Sequence, residues 1–200
     1  QDNSCFACGT NKGFSIYNCE PFKETFKRDF PNGGIGIVAM LFRCNILGIV
    51  GGGQYPCFPP NKVMLWDDHQ TACIGELTFK SDVKAVKLRR DKIVVVLETQ
   101  VYIYNFEELE LIHKYETIPN PKGLVALSPS TENCVIACPS VQKGVVRVER
   151  YDASGNNKSS FVTAHDSSIS CIALNNDGSR LATASEKGTL IRIFDTETGE

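Results

Sequence analysis

One short pattern recurs along the 200 residues and limits what the chain can fold into. A strand of small or apolar residues runs into a polar turn. The turn leads to a second strand that closes on an aromatic or apolar residue followed by Asp or Asn. Leu181 to Asp195, reading LATASEKGTLIRIFD, is the clearest copy. Cys5 to Asn18 and Ile93 to Asn105 repeat it, and Val135 to Val148 repeats the strand, turn and strand. Ile46 to Asp67 carries a long loop in place of the turn and ends in Trp66-Asp67. A unit this short cannot bury both of its faces, so neighbouring copies must cover one another.

Starts of successive copies lie roughly 40–50 residues apart, the period of WD-type propeller blades. Strands are read at Ile35 to Phe42, Val83 to Leu88, Ile93 to Leu97, Val101 to Phe106, Ile169 to Leu174 and Leu190 to Phe194, where Val, Ile, Phe and Tyr dominate. Asn32-Gly33-Gly34, Arg90-Asp91-Lys92, Asn176-Asp177-Gly178 and Lys187-Gly188 punctuate them as turns. Glu107 to His113 is the best helix candidate, and it is short. The pattern predicts an all-β fold, a WD40-type β-propeller with about five blade copies. Approximate blades are 1–30, 33–80, 81–118, 120–163 and 164–200. The first copy opens near its second strand and the last stops after its third. The expectation is therefore an incomplete propeller whose open strand edges are liabilities in isolation.

Composition narrows the function classes. The formal charge of −2 argues against a general nucleic-acid binder, which carries a strongly basic face. No stretch is long and apolar enough to read as a membrane-spanning helix. Nine cysteines at irregular spacing, with no secretory signal, favour a reducing compartment over a disulfide framework. Cys5, Cys8, Cys134, Cys138 and Cys171 fall in apolar strand patterns, where a thiol acts as a small hydrophobe.

Each candidate for chemistry meets a structural alternative. Cys5 and Cys8 lack a second ligand pair at zinc spacing, and three positions along a strand puts them on opposite faces. Gly51-Gly52-Gly53 is followed by no Gly-Lys-Ser/Thr, so it reads as room for a sharp strand exit. Arg89-Arg90 reads as a solvated hairpin end, and Lys84, Lys87, Arg89 and Lys92 form a mild basic patch as a secondary membrane contact. His165, Ser185 and Thr189 are the most interesting set. The two hydroxyls flank one turn and His165 opens the same blade, so all three can donate to phosphate oxygens. WD blades also use such a histidine and hydroxyl in an internal network, and residue chemistry alone favours that reading. Three histidines and no paired-carboxylate, Gly-x-Ser-x-Gly or His-Glu-x-x-His motif predict no enzyme, no metal and no cofactor.

Met40 to Asn45, Leu47 to Gly53, Pro59 to Asp68, Val83 to Asp91, Asn120 to Gly123 and above all Ala182 to Asp195 resemble the PROPPIN family, the WD-repeat proteins that interact with phosphoinositides. The resemblance covers essentially the whole chain and is nearest the branch of the human WD repeat domain phosphoinositide-interacting proteins three and four. It implies a seven-bladed propeller, monomeric at full length, that docks edge-on to membranes. It implies recognition of phosphatidylinositol 3-phosphate and the 3,5-bisphosphate in autophagosome formation. The implied location is the cytoplasm, with peripheral recruitment to preautophagosomal and endosomal or vacuolar membranes. His165, Ser185 and Thr189 match residues lining one side of the family's first lipid pocket. The family's Arg-Arg-Gly hallmark, whose arginines serve two neighbouring pockets, does not occur among these residues. Arg89-Arg90 lies in another blade and lacks the Gly. The resemblance also implies an autophagy lipid-transfer protein as partner, and Gln54 to Lys62 matches the docking region, with Pro60, Asn61 and Lys62 as its contact residues. The alternative is a generic WD-repeat protein-interaction scaffold without lipid binding. An Arg-Arg-Gly soon after position 200 separates the two.

Overall fold

The structure, a computed structural model, describes residues 3–200. Among the described residues, eighteen strands form five antiparallel sheets, each a meander in chain order. The first holds β1 (Cys5–Thr10), β2 (Gly13–Asn18) and β3 (Lys23–Asp29). The second holds β4 (Ile35–Met40), β5 (Ile46–Gly51), β6 (Lys62–Asp67) and β7 (Ala72–Thr78). The third holds β8 (Ala85–Leu88), β9 (Lys92–Val96), β10 (Gln100–Asn105) and β11 (Leu111–Glu116). The fourth holds β12 (Ala126–Leu127), β13 (Cys134–Pro139), β14 (Val145–Tyr151) and β15 (Asn157–Thr163). The fifth holds β16 (Ile169–Leu174), β17 (Arg180–Ser185) and β18 (Ile191–Asp195). The chain divides into two compact units, residues 1–95 with 104–111, and residues 96–103 with 112–200.

The recurring Asp or Asn is explained by the turn it makes. The Asp67 carboxylate accepts from the backbone N–H of His69 and Gln70, Asn105 from Glu107 and Glu108, and Asp195 from Glu197 and Thr198. Asp152, just past β14, accepts from Ser154 and Asn156. Each is an Asx turn in which a side chain replaces the backbone as acceptor, and at Asp67, Asn105 and Asp152 it sends the chain into the outermost strand of the sheet. The Asn45 side-chain amide, 2.5 Å away, is the main reason that the Asp67 carboxyl is held below the usual carboxylate range.

Burial follows position in each sheet. β9 and β13 are buried along their whole length, because they lie second in a meander and are covered on both faces. Their runs Ile93–Val96 and Cys134–Ala137 are correspondingly apolar without alternation. The outermost β3 and β7 are mostly exposed. In the first unit Phe14, Ile35, Leu47, Ile49, Met64 and Trp66 form a cluster, with Phe30 edge-on to Trp66 at 5.0 Å. In the second, Val135, Val146, Val148, Val162, Ile169, Ile172 and Leu181 form another. Burying one such aliphatic side chain contributes about 1.5–3 kcal/mol.

Several sequence expectations need correction. The helix candidate Glu107 to His113 is a turn that runs into β11, because Asn105 caps the turn and strand pairing takes Leu111 onward. Cys8 and Cys171 are exposed, since their strand positions point away from the packed faces. Arg89 is not solvated. It is buried with Lys92, and Asp91 pairs with both, at 3.1 and 2.7 Å, which removes two cations from the basic patch. Arg90 stays outside, its guanidinium 5.3 Å from the centre of the Phe42 ring. Gly51 does provide room. A Cβ there would lie 1.7 Å from the carbonyl oxygen of Phe58, because the long loop doubles back onto β5.

Candidate functional site

The cleft at the end of the fifth sheet is built by strand register. Thr183 on β17 pairs with Arg192 on β18, and Ser185 lies two residues beyond Thr183. Alternation therefore puts Thr183, Ser185 and Arg192 on one face. Ala184, Ile191 and Ile193 fall on the other, where Ile191 and Ile193 are largely exposed. The Gly188 N–H donates to the Ser185 carbonyl at 2.9 Å, closing a tight turn that returns Thr189 beside Ser185. His165 enters from the chain before β16. Its backbone N–H and that of Ala164 both donate to the Gly144 carbonyl, at 3.0 and 2.9 Å.

His165, Ser185 and Thr189 line a common cleft of about 160 Å³. Asp166, Ser167 and Leu190 complete its wall, and it also receives Lys187 and Arg192. The three residues differ in their freedom. The His165 ring is buried, with Nε2 2.9 Å from Thr183 Oγ1. Half of the internal WD-type network thus exists, but it runs to Thr183 and not to Ser185. Ser185 is buried and Thr189 exposed, and neither hydroxyl has a hydrogen-bond partner among the described residues. Arg192 Nη1 donates to the Ala164 carbonyl at 2.5 Å, beside His165. Lys187 and Arg192 did not emerge from the sequence as site residues. The signal available was parity, since Arg192 falls on the Thr183 face once the turn length fixes the register.

The second candidate region lies elsewhere. Pro60 is exposed, and its carbonyl accepts from the Val83 N–H. The Asn61 amide donates to the Phe79 carbonyl at 2.8 Å, and Lys62, the first residue of β6, reaches Glu76 at 2.9 Å. Two of the three side chains are therefore engaged in joining β6 to its surroundings. The loop presents Tyr55, 73% exposed, with Pro59 and Pro60. Asn120 of the Asn-Pro-Lys-Gly segment is also structural. Buried, it exchanges two hydrogen bonds with the backbone of Leu124.

The meander sheets and their Asx-closed turns are blades of a WD40-type β-propeller, and these 200 residues hold an incomplete one of five blades. The chain belongs to the PROPPIN family, whose family model it matches over residues 1–200. It is 46% identical over 198 residues to autophagy-related protein 18e of Arabidopsis thaliana, covering 98% of this chain and 52% of that protein. It is 36% identical over 234 residues to autophagy-related protein 18 of Komagataella pastoris, covering 100% of this chain and 43% of the relative. The chain thus spans about half the length of these curated relatives. Among solved structures, Kluyveromyces lactis Hsv2 superposes with a TM-score of 0.82 at 27% identity, covering 100% of this chain and 59% of that one. KlAtg21, solved in complex with the coiled-coil of AgAtg16, superposes with a TM-score of 0.78 at 30% identity, covering 98% of this chain and 64% of that one.

Proposed function

We propose that this chain belongs to a phosphoinositide-binding peripheral membrane effector of autophagosome formation, whose cleft takes the phosphate of a 3-phosphorylated inositol headgroup. One observation carries the reading. Two hydroxyls without partners, Ser185 and Thr189, share a small cleft with the cationic side chains of Lys187 and Arg192. Phosphate oxygens accept from such donors, and charge-assisted bonds are the stronger ones. The arrangement suits binding better than catalysis, because His165 is bonded to Thr183 and does not activate Ser185 as a base would. The autophagy setting, and peripheral recruitment from the cytoplasm to preautophagosomal and endosomal or vacuolar membranes, rest on the related autophagy proteins.

Flotation with phosphatidylcholine vesicles, with and without phosphatidylinositol 3-phosphate, tests the reading. Ser185→Ala with Thr189→Ala removes two hydrogen bonds of about 1 kcal/mol each, so binding falls about 30-fold. Unchanged binding by the double variant refutes it.

The loop before β6 is proposed as the surface for an autophagy lipid-transfer partner. Tyr55 and Pro60 present exposed, stiff contact area there, whereas Asn61 and Lys62 hold the loop in place. Tyr55→Ala with Pro60→Ala weakens capture of that partner and leaves vesicle binding intact. Loss of both activities, or of neither, overturns this assignment.

A further inference from the structure

Of the thirteen asparagines in the chain, Asn32 alone precedes a glycine. A side chain on the following residue shields that residue's backbone nitrogen, and glycine has none. Asn32 is exposed. Its side-chain amide makes no hydrogen bond among the described residues, whereas Asn18, Asn45, Asn61 and Asn105 of the same unit are held by theirs. The Gly33 N–H likewise has no acceptor among the described residues. The amide carbon and the nitrogen that can attack it are therefore both uncommitted, and they belong to adjacent residues.

Gly34, next in the chain, is firmly engaged. Its N–H donates to the Tyr55 carbonyl at 2.7 Å, and its carbonyl accepts from Cys57 at 2.9 Å and from Gly52 at 3.2 Å. These bonds tie the turn to the end of β5 and to Tyr55 and Cys57 in the long loop. A Cβ on Gly33 would lie 2.2 Å from the Tyr55 carbonyl oxygen, so the main chain has little room to absorb an extra atom there.

We propose that Asn32 is a self-modification site, and that its conversion to isoaspartate releases the loop Gln54 to Lys62. Solvent hydroxide removes the Gly33 amide proton, and the nitrogen attacks Asn32 Cγ. As that C–N bond forms, the Cγ–Nδ2 bond breaks and Nδ2 leaves as ammonia, taking a proton from water. Water then opens the succinimide. Opening at Cγ gives aspartate. Opening at the main-chain carbonyl leaves Gly33 joined through the side chain, which inserts a methylene into the backbone and displaces Gly34 from its bonds. The chemistry is independent of the function proposed above, and only its effect on partner capture rests on the loop assignment made there.

The test incubates the wild-type chain, Asn32→Gln and Asn32→Asp for days in native buffer at mildly alkaline pH. Peptide mapping reads replacement of the amide by a carboxylate, and methylation by an S-adenosylmethionine-dependent isoaspartate methyltransferase reads the altered linkage. Wild type reacts at Asn32 ahead of every other asparagine. In the isoaspartate form the Gly34, Gly52 and Cys57 amides exchange hydrogen about 30-fold faster, the loss of about two hydrogen bonds. Asn32→Gln must close a larger ring, so it keeps slow exchange throughout and is the folded control. Fresh Asn32→Asp carries the charge without the extra backbone atom and exchanges like wild type. If it already exchanges as fast as aged wild type, charge is the cause and the inference falls. An Asn32 that stays intact while the urea-unfolded chain reacts overturns it, because the turn then protects the site. Isoaspartate at this position with unchanged exchange overturns it as well. Isoaspartate with fast exchange but undiminished capture of the lipid-transfer partner upholds the inference and removes the loop assignment instead.

Discussion

Gly144 links the fourth sheet to the cleft, and replacing it with alanine is the sharpest perturbation available. Its φ is +76°, a conformation that costs an L-residue about 1–2 kcal/mol. A Cβ there would also lie 1.6 Å from the carbonyl oxygen of His165. That atom is backbone, so the segment around Ala164 and His165 must move away. Moving it breaks the two hydrogen bonds that Ala164 and His165 donate to the Gly144 carbonyl, worth about 1 kcal/mol each. The sum is about 3–4 kcal/mol. Gly155 is the control, because its φ is +82° but nothing lies within 4 Å of its added Cβ. Gly155→Ala therefore costs only the conformational share. Urea titration followed by circular dichroism, on wild type and both variants, measures the difference. Gly144→Ala loses about 2 kcal/mol more than Gly155→Ala, and under the proposed function its vesicle binding falls as well, because His165 is displaced. Equal losses in the two variants would refute the claim that this glycine sets the position of His165.

Leu181, fully buried in the cluster with Val135 and Val148, loses about 2–5 kcal/mol on substitution by alanine, read as a lower urea midpoint with an unchanged slope. Asp67, Asp152, Asp177 and Asp195 all have carboxyls held below their ordinary value, Asp67 chiefly by the Asn45 side chain and the other three chiefly by the hydrogen bonds of their turns. Their contribution is therefore complete above the unfolded value of about 4 and is lost as pH falls through the lower folded values; stability holds from neutral pH down to about 5 and then declines. Asp67→Asn flattens that decline, and an identical acid profile would count against the turn's role. Burial pushes the Cys138 thiol up to about 12, and Cys134 is also buried. Iodoacetamide on the native protein, read by mass spectrometry, therefore labels Cys8, Cys19, Cys44, Cys73 and Cys171 and spares Cys134 and Cys138.

Much of the fold was legible along the chain because its causes are local. An Asp or Asn after an apolar strand makes its turn with N–H groups two or three residues away, so the signature and its structure occupy the same few positions. The same holds for Ser185 and Thr189, which one tight turn brings together. What could not be read locally depends on partners far along the chain. The Arg89-Arg90 pair reads as two solvated cations, yet packing buries Arg89, whose partner Asp91 is only two residues on, and leaves Arg90 outside on the distant Phe42 ring. Asn61 and Lys62 look like loop residues, yet Phe79 and Glu76 claim their side chains. His165 finds Thr183 eighteen residues on, and Arg192 finds the Ala164 carbonyl twenty-eight residues back. The sequence alone determined where the main turns and the apolar strands fall and which hydroxyls share a hairpin, while the start of β11 read as a short helix until strand pairing claimed it. Only the tertiary structure decided which charges are paired with a carboxylate and which are not, because that depends on the register of strands and on what packs against each face.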